Sequence, residues 1–470
     1  MCSFIFSRSK KPFEDNIISD ANFFAQKRGP DFTGIKRLID RNGYHMLFVH
    51  NLLDISDKTI KQPFLVDDKE QLKILLFNGE IYNYKKNVFK SDTESLIPTI
   101  SKSINQASSM LDGEYAIVMF DFISNELVIY TDAFLTKPLY FGFTEVNSEF
   151  GIASYPSSLR TLGFKHIEMA EPNSVYRVIF FDEHFQFKKE KENIKFELLQ
   201  YQDKFDLWVD ALLEAVKKRS QHSKHKPFVC LSSGYDSGAI CLALNLLGIK
   251  YTTYSIEAGE TSSIINERIK INCSKSCTKA YVYKGLSPKV CKQIKNEIRL
   301  NVEPFIFVHE DAPGVNLSIE SDSGSIGGKY IARIAEKNGN KVVLSGSGAD
   351  EIYSDYGMKG RKLYHHSEFG GVFPEDLSTI FPWKKFYGDT QRSYLFKEEF
   401  IFGSHGIEGR YPFLDPSVVQ EFLSLKSTLK NLEYKAPLAY FLRKFNYPFQ
   451  IDLKKGFNPY ILPNGARPHN

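Results

Sequence analysis

The stretch Phe228-Val229-Cys230-Leu231-Ser232-Ser233-Gly234-Tyr235-Asp236-Ser237-Gly238 decides the fold of the second half of the chain. Phe228–Leu231 is an apolar run of strand length, and Gly238–Leu247 reads as a helix. A turn of small residues therefore joins a strand end to a helix N-terminus. Backbone N–H groups in such a turn can approach a phosphate closely, and the helix end favours the anion. The alternation continues with a strand at Thr252–Ile256, a helix at Ile326–Lys337 that stops near Gly339, and a strand at Lys341–Leu344. Strands that alternate with helices predict a parallel α/β sheet.

Before this stretch the pattern differs. The first ~190 residues are strand-rich. Leu72–Phe77, Tyr115–Phe122, Glu126–Tyr130 and Pro138–Phe143 are short apolar or aromatic runs. Val175–Phe181 and His184–Phe187 flank an Asp182-Glu183 turn as a hairpin. Thr93–Ser103 reads as a helix between strands, so antiparallel sheets with helices on their outer faces fit this half. Lys188–Asn193 is charged and reads as a linker. Phe205–Arg219 has apolar residues at helical spacing, with Lys217, Lys218 and Arg219 at the end that favours cations. These readings predict two domains, 1–195 and 196–470.

A chain of 470 residues is long enough for two or three cores. Its 42% hydrophobic and 25% charged content is that of a globular protein in water. The net charge of +4 is small for this length and gives no reason to expect nucleic acid or a membrane surface as partner. Six cysteines are few for a disulfide framework. Cys230 and Cys241 sit in apolar runs and are expected to be buried, and Cys273 with Cys277 lacks further ligands for structural zinc. Phe4-Ile5-Phe6 is too short for a signal peptide, and no later run is long enough to span a bilayer, so a cytoplasmic location is expected.

Cys2 directly follows Met1. Loss of Met1 would expose an α-amino group with a pKa of about 7.7–8.0, able to serve as base to the thiol beside it. Downstream stand Arg28-Gly29-Pro30-Asp31, Asn78-Gly79-Glu80-Ile81-Tyr82-Asn83 and Ser91-Asp92-Thr93-Glu94. The Asn78 amide and the Gly79 N–H are donors of the kind that hold a tetrahedral oxyanion. This set suits attack on a carboxamide with release of ammonia.

In order, these segments resemble the RGPD, NGEIYN and SDxE segments of the asparagine synthetase family, whose first half is a class II, N-terminal-nucleophile glutamine amidotransferase. The likeness continues through Leu231–Gly238, which resembles an SGGxDS pyrophosphate loop. Leu344-Ser345-Gly346-Ser347-Gly348-Ala349-Asp350-Glu351 resembles SGEGSDE, and Gly406-Ile407-Glu408-Gly409-Arg410-Tyr411-Pro412-Phe413-Leu414-Asp415 resembles GxExRxPFLD. The matched segments run from Cys2 to about Phe457.

The resemblance implies an α+β, Ntn-hydrolase-like αββα sandwich, followed by an α/β ATP-pyrophosphatase domain of the adenine nucleotide alpha-hydrolase type. It implies glutamine, ATP and a carboxylate acceptor as small-molecule substrates, Mg²⁺ as cofactor, and a homodimer as one assembly. Cys2 would attack glutamine, Asn78 and Gly79 would form the oxyanion hole, and Glu80 and Asp92 would bind the α-amino end. Leu231, Ser232, Ser233, Gly234, Asp236, Ser237, Ser345, Gly346 and Lys455 would bind ATP and pyrophosphate. Asp236 and Asp350 would ligate Mg²⁺, and Lys435 would stabilise charge during adenylation or aminolysis. The acceptor would form an acyl-adenylate with loss of pyrophosphate, and ammonia from the Cys2 site would displace AMP.

Three positions depart from the family pattern. Leu52 stands where an arginine pairs with the glutamine α-carboxylate. Ser347 stands where a glutamate lies by the acceptor, which argues for an acceptor other than aspartate, such as a sugar acid. Tyr155 stands where a glutamate is usual near the ammonia route. The rival readings are asparagine synthesis itself, an ATP-dependent ring closer of the β-lactam synthetase type, and a non-catalytic binding protein. Retention of Cys2, Asn78, Gly79 and Asp92 favours ammonia as nucleophile. Asp311–Ser325, rich in Ser, Gly and Asp, reads as a loop near the acceptor.

Overall fold

A computed structural model of the chain describes residues 2–56, 60–68, 71–85, 87–89, 91–100, 110–144, 148–308, 316–452 and 457–460. It divides into two compact units, Met1–Lys195 with Gly403–Ile407, and Phe196–Phe402 with Glu408–Asn470.

The first unit holds two six-stranded sheets. One runs His166–Met169, Tyr140–Phe143, Phe150–Ala153, Ser3–Ser9, His45–Leu52 and Phe32–Ile39 in spatial order; the other runs Phe185–Glu192, Ser174–Phe180, Glu126–Thr131, Gly113–Asp121, Gln71–Ile81 and Phe64–Asp68. Every neighbouring pair is antiparallel. Phenylalanine joins the sheets: Phe6 and Phe48 of the first meet Phe120 of the second at ring-centroid separations of 6.1 and 6.2 Å. Each such pair adds about 0.5–1.5 kcal/mol beyond the area it buries.

Residues of opposite parity face outward, as the strand period of two requires. Phe77, Ile117, Tyr130 and Val175 form one cross-strand row and share a core with Leu96 of the helix Asp92–Ile100. On the other sheet, Ser3 Oγ donates to Ala25 O of the helix Ala25–Arg28 at 2.7 Å. The layering is helix, sheet, sheet, helix.

The second unit is built on a five-stranded sheet in the order Cys277–Lys284, Tyr251–Glu257, Phe228–Cys230, Val342–Leu344 and Glu408–Arg410, all parallel. Phe228–Cys230 comes first in the chain and lies at the centre. The next two strands are added on one side and the last two on the other. The order thus reverses between Phe228–Cys230 and Val342–Leu344, and open parallel sheets bind ligands beyond the carboxyl ends of the strands at such a point.

Several elements differ from the sequence reading. The strand ends at Cys230, not Leu231, and the helix spans Tyr235–Leu246, so Tyr235, Asp236 and Ser237 form its first turn. Lys188–Asn193 is not a linker: the strand Phe185–Glu192 runs through it at the sheet edge. Asp311–Ser325 is not one loop. Asn316–Ser318 pairs with Ile306–Val308, and Asp322 caps the helix Ser323–Lys337; residues 311–315 lie outside the described set, as do 101–103 of the expected Thr93–Ser103 helix. Cys241 is buried and Cys230 partly so, and none of the six cysteines is in a disulfide. Among the described residues no helix is long and apolar enough to cross a membrane.

Candidate active site

The chemistry-bearing residues gather in two centres, one in each unit. In the first, Cys2 begins the chain segment that becomes the strand Ser3–Ser9, beside the strand His45–Leu52. Cys2 N donates to Asn78 Oδ1 at 3.1 Å, and Arg28 Nε donates to Cys2 O at 2.8 Å. The backbone of Cys2 is thus held on both sides by buried side chains. The remaining donor of Asn78, Nδ2, is buried without a hydrogen-bond partner. A buried unpaired donor costs about 1–3 kcal/mol, and it is the feature expected of a group kept for a developing oxyanion.

Gly79 follows with φ +139°, and a Cβ there would lie 1.9 Å from Glu114 O. Only glycine fits, which ties the motif's second residue to backbone shape.

Cys2, Gly79, Glu80 and Asp92 line one small cavity of about 30 Å³, together with Leu52, Leu53, Gln62 and Phe77. Asp92 Oδ1 accepts from Thr93 N at 2.7 Å and Asp92 Oδ2 from Ile81 N at 3.3 Å, which joins the helix start to the NGEIYN strand. The Arg28–Asp31 turn fixes the Leu52 wall: Asp31 N donates to Leu52 O at 3.0 Å, and Asp54 N to Asp31 Oδ2 at 2.7 Å. The described lining contains no Lys or Arg. Tyr155 is buried with its ring 5.8 Å from the Arg28 guanidinium. Behind Cys2, His50 Nε2 lies 3.0 Å from Phe77 O, and burial pushes this imidazole down from 6.5 to about 4.

The second centre sits where the sheet order reverses. Arg268 is fully buried and donates to Ser232 O and Gly234 O at 2.7 Å each, and to Pro448 O at 2.8 Å. The turn carbonyls are thereby committed to Arg268. The turn N–H groups have internal partners: Ser232 N donates to Ser237 Oγ at 3.0 Å, Gly234 N to Ser232 Oγ at 3.1 Å, and Ser233 N to Glu260 Oε2 at 2.9 Å. A side-chain carboxylate thus already occupies the anion-seeking side of the loop. Ser233 avoids positive φ, so its side chain is tolerated where the family has glycine. Leu231 is committed within the sheet, its N–H to Tyr254 O at 2.8 Å and its carbonyl to Ser255 Oγ at 2.8 Å.

Lys435 is the hub of this centre. It is 2% exposed, and its Nζ lies 2.6 Å from Asp236 Oδ1 and 2.8 Å from Asp350 Oδ1. Its backbone is left-handed, with φ +49°, immediately before the helix Ala436–Lys444. Such a conformation costs a non-glycine residue about 1–2 kcal/mol and marks a position fixed by its surroundings. Asp350 also accepts from the Tyr434 hydroxyl. Gly346 lets the two loops close, since a Cβ there would meet Asp236 Cβ at 2.7 Å.

Among the described residues no three His, Cys, Asp or Glu side chains form a metal cage. Two carboxylates converging on one point still fit Mg²⁺, which commonly takes one or two protein carboxylates and completes its shell with phosphate oxygens and water. Lys455 lies outside the described residues. The Glu408–Asp415 segment is scaffolding: Arg410 Nε pairs with Glu408 Oε1 at 2.6 Å, and Asp415 Oδ2 pairs with Arg219 at 2.5 Å and Lys218 at 2.6 Å, nearly all buried. Sequence reasoning missed Arg28, Glu260, Arg268 and Tyr434. Only Arg28 stood in a quoted motif; the others act through contacts distant in sequence.

Two families match the chain, a glutamine amidotransferase domain over residues 1–193 and asparagine synthase over residues 208–397. A Methanocaldococcus jannaschii protein named as a glutamine-hydrolyzing asparagine synthetase is 26% identical over 438 residues, which cover 86% of this chain and 73% of that one. A similarly named protein of Acanthamoeba polyphaga mimivirus is 26% identical over 422 residues, 82% of this chain and 70% of that one. Glutamine-hydrolyzing asparagine synthetase 1 of Bacillus subtilis is 27% identical over 408 residues, 76% of this chain and 59% of that one. Both parts of the chain are thus similar to glutamine-hydrolyzing asparagine synthetases, the first through a glutamine amidotransferase domain and the second through an asparagine synthase domain.

Proposed function

We propose that this protein hydrolyses glutamine at Cys2 and uses the ammonia to amidate a small carboxylate activated by ATP, forming AMP and pyrophosphate. Residues 1–195 act as the glutaminase and residues 196–470 as the synthetase. The observation that carries the reading is the convergence of Asp236, Asp350 and Lys435 at the sheet's switch point.

At the first centre, the Cys2 thiolate attacks the carboxamide carbon. The free Asn78 N–H and the Gly79 N–H receive the oxyanion, and Glu80 with Asp92 hold the α-amino group. Leu52 leaves the α-carboxylate without the usual cation, a loss of about 1.5–3 kcal/mol. At the second centre, Ser232, Ser233, Gly234, Ser237, Ser345 and Gly346 cradle the phosphates once Glu260 is displaced. Asp236 and Asp350 would hold Mg²⁺, which when bound neutralises charge on the leaving pyrophosphate. Lys435, released from its carboxylates, balances charge at the α-phosphate.

The acceptor is a small carboxylate, and Ser347 favours one other than aspartate. Pyrophosphate release from Mg-ATP, with ammonium as nitrogen source, tests this with L-aspartate and sugar acids in parallel. Aspartate-dependent release with asparagine formed would show that the chain is an asparagine synthase despite Ser347. No acceptor-dependent release, from folded protein that binds ATP, would overturn the synthetase reading.

A further inference from the structure

Glu398 lies on the helix Asp389–Gly403, outside every motif of the second centre. Its Oε2 accepts from Ser345 Oγ at 2.5 Å, and the Ser347 hydroxyl bonds to the same carboxylate. Ser345 and Ser347 flank Gly346, the residue packed against Asp236. One turn of backbone therefore carries Glu398 on one side and the Asp236–Lys435–Asp350 group on the other. Cys230, at the end of the central strand, also senses the Glu398 charge.

The charged and titratable groups facing Glu398 are Lys397, Glu399 and Cys230. Lys397 is engaged with Asp322 at 3.2 Å, and Glu399 accepts from the Tyr411 hydroxyl at 2.6 Å. Among the described residues Lys397 forms no short ion pair with Glu398, and Glu399 repels it. Burial holds its carboxyl above the ordinary 4.5, against the pull of Ser345, Lys397 and Ser347. A carboxylate raised in this way is a better base near neutral pH.

We propose that Glu398 is the proton acceptor for the amide-forming step, with Ser345 and Ser347 orienting its carboxylate. This rests on the synthetase reading above. The nitrogen lone pair of ammonia forms the C–N bond at the acyl carbon. The bond to the AMP oxygen breaks, and AMP leaves with that electron pair. The surplus N–H proton passes to Glu398, then to solvent. The loop carries Ser347 in place of a carboxylate, and the neighbouring helix supplies one to the same hydroxyls.

The test uses full-length Glu398→Gln and Glu398→Asp with ammonium as nitrogen source, and L-aspartate and sugar acids as acceptors. Acceptor-dependent exchange of labelled pyrophosphate into ATP, without ammonium, reports adenylation alone; amide formation reports both steps. Glu398→Gln is expected to keep exchange within about threefold of wild type while amide formation falls about 10²–10⁴-fold. Glu398→Asp should retain part of the rate and shift the acid limb of its pH profile at constant free ammonia.

Glutaminase activity at Cys2 serves as the control for folding. Equal loss of exchange and amide formation, or loss of neither, would overturn the proposal. Absence of exchange in wild type with every acceptor would instead strike the synthetase reading, and this proposal with it.

Discussion

Asn78→Asp isolates the oxyanion donor. The substitution keeps an oxygen to accept from Cys2 N, now at 3.1 Å, and replaces the unpartnered Nδ2. Asn78 is fully buried, so solvent cannot substitute for the lost N–H. Removing one preorganised oxyanion donor costs about 10²–10³ in kcat, or about 2.7–4 kcal/mol. The carboxylate adds repulsion toward the developing oxyanion, which places the expected loss at the upper end of that range. The assay is glutamate release from glutamine, run beside amide formation from ammonium. The glutamine KM should change little, because the ground-state carbonyl does not yet carry the charge. Ammonium-driven synthesis should be unaffected. A kcat within about threefold of wild type would refute the assignment of Nδ2 to the oxyanion. A parallel fall in ammonium-driven synthesis would show that the substitution had damaged the fold.

Lys435→Met leaves Asp236 and Asp350 without their shared ammonium. Asp236 is 23% exposed, which places the stability loss near about 3 kcal/mol, the low end for a broken buried pair. Mg²⁺ should restore more of the melting temperature in the variant than in wild type; equal Mg²⁺ effects in calorimetry would count against the shared site. Glu260→Gln weakens the hold on Ser233 N–H and should tighten Mg-ATP binding by about fivefold in titration calorimetry, with unchanged affinity as the refuting result. Leu52→Arg should lower the glutamine KM about tenfold if a missing cation limits binding, and an unchanged KM would place the α-carboxylate elsewhere.

His50 predicts an acid-labile first unit. Its folded value of about 4 lies below the ordinary 6.5, so between these values the unfolded chain takes up a proton that the folded one refuses. The contribution is complete above about 6.5 and lost as pH falls toward about 4, on the order of 3 kcal/mol in all. His50→Gln should flatten urea midpoints measured across that interval, and an unchanged slope would refute the assignment.

Period and order made most of the architecture legible. The short apolar runs Leu72–Phe77 and Tyr115–Phe122 and the strand-to-helix turn at Ser232–Gly234 each point to one kind of sheet. What misled was charge. Lys188–Glu192 has a linker's composition, yet it forms a strand because one edge faces solvent, where pairing and charge coexist. The helix start at Tyr235 was hidden because small residues suit turns and first helical turns alike. In the site, Cys2 and Asn78, and Asp236 and Asp350, named from contiguous motifs, lie together, while Arg28, inside one such motif, was passed over. Glu260, Arg268 and Glu398 were missed too, since a single charged side chain on an unrelated segment has no local signature and gains its role only when the sheet order brings it to a loop.

The charged edge strand of the first unit also bears on how this protein meets its own copies. Backbone groups along Phe185–Glu192 could template a seventh strand, and an apolar edge would recruit one from another molecule. Lys188, Lys189, Glu190, Lys191 and Glu192 surround that edge with hydrated charge. Hydrated charge at this edge therefore works against strand-to-strand pairing between copies of the chain.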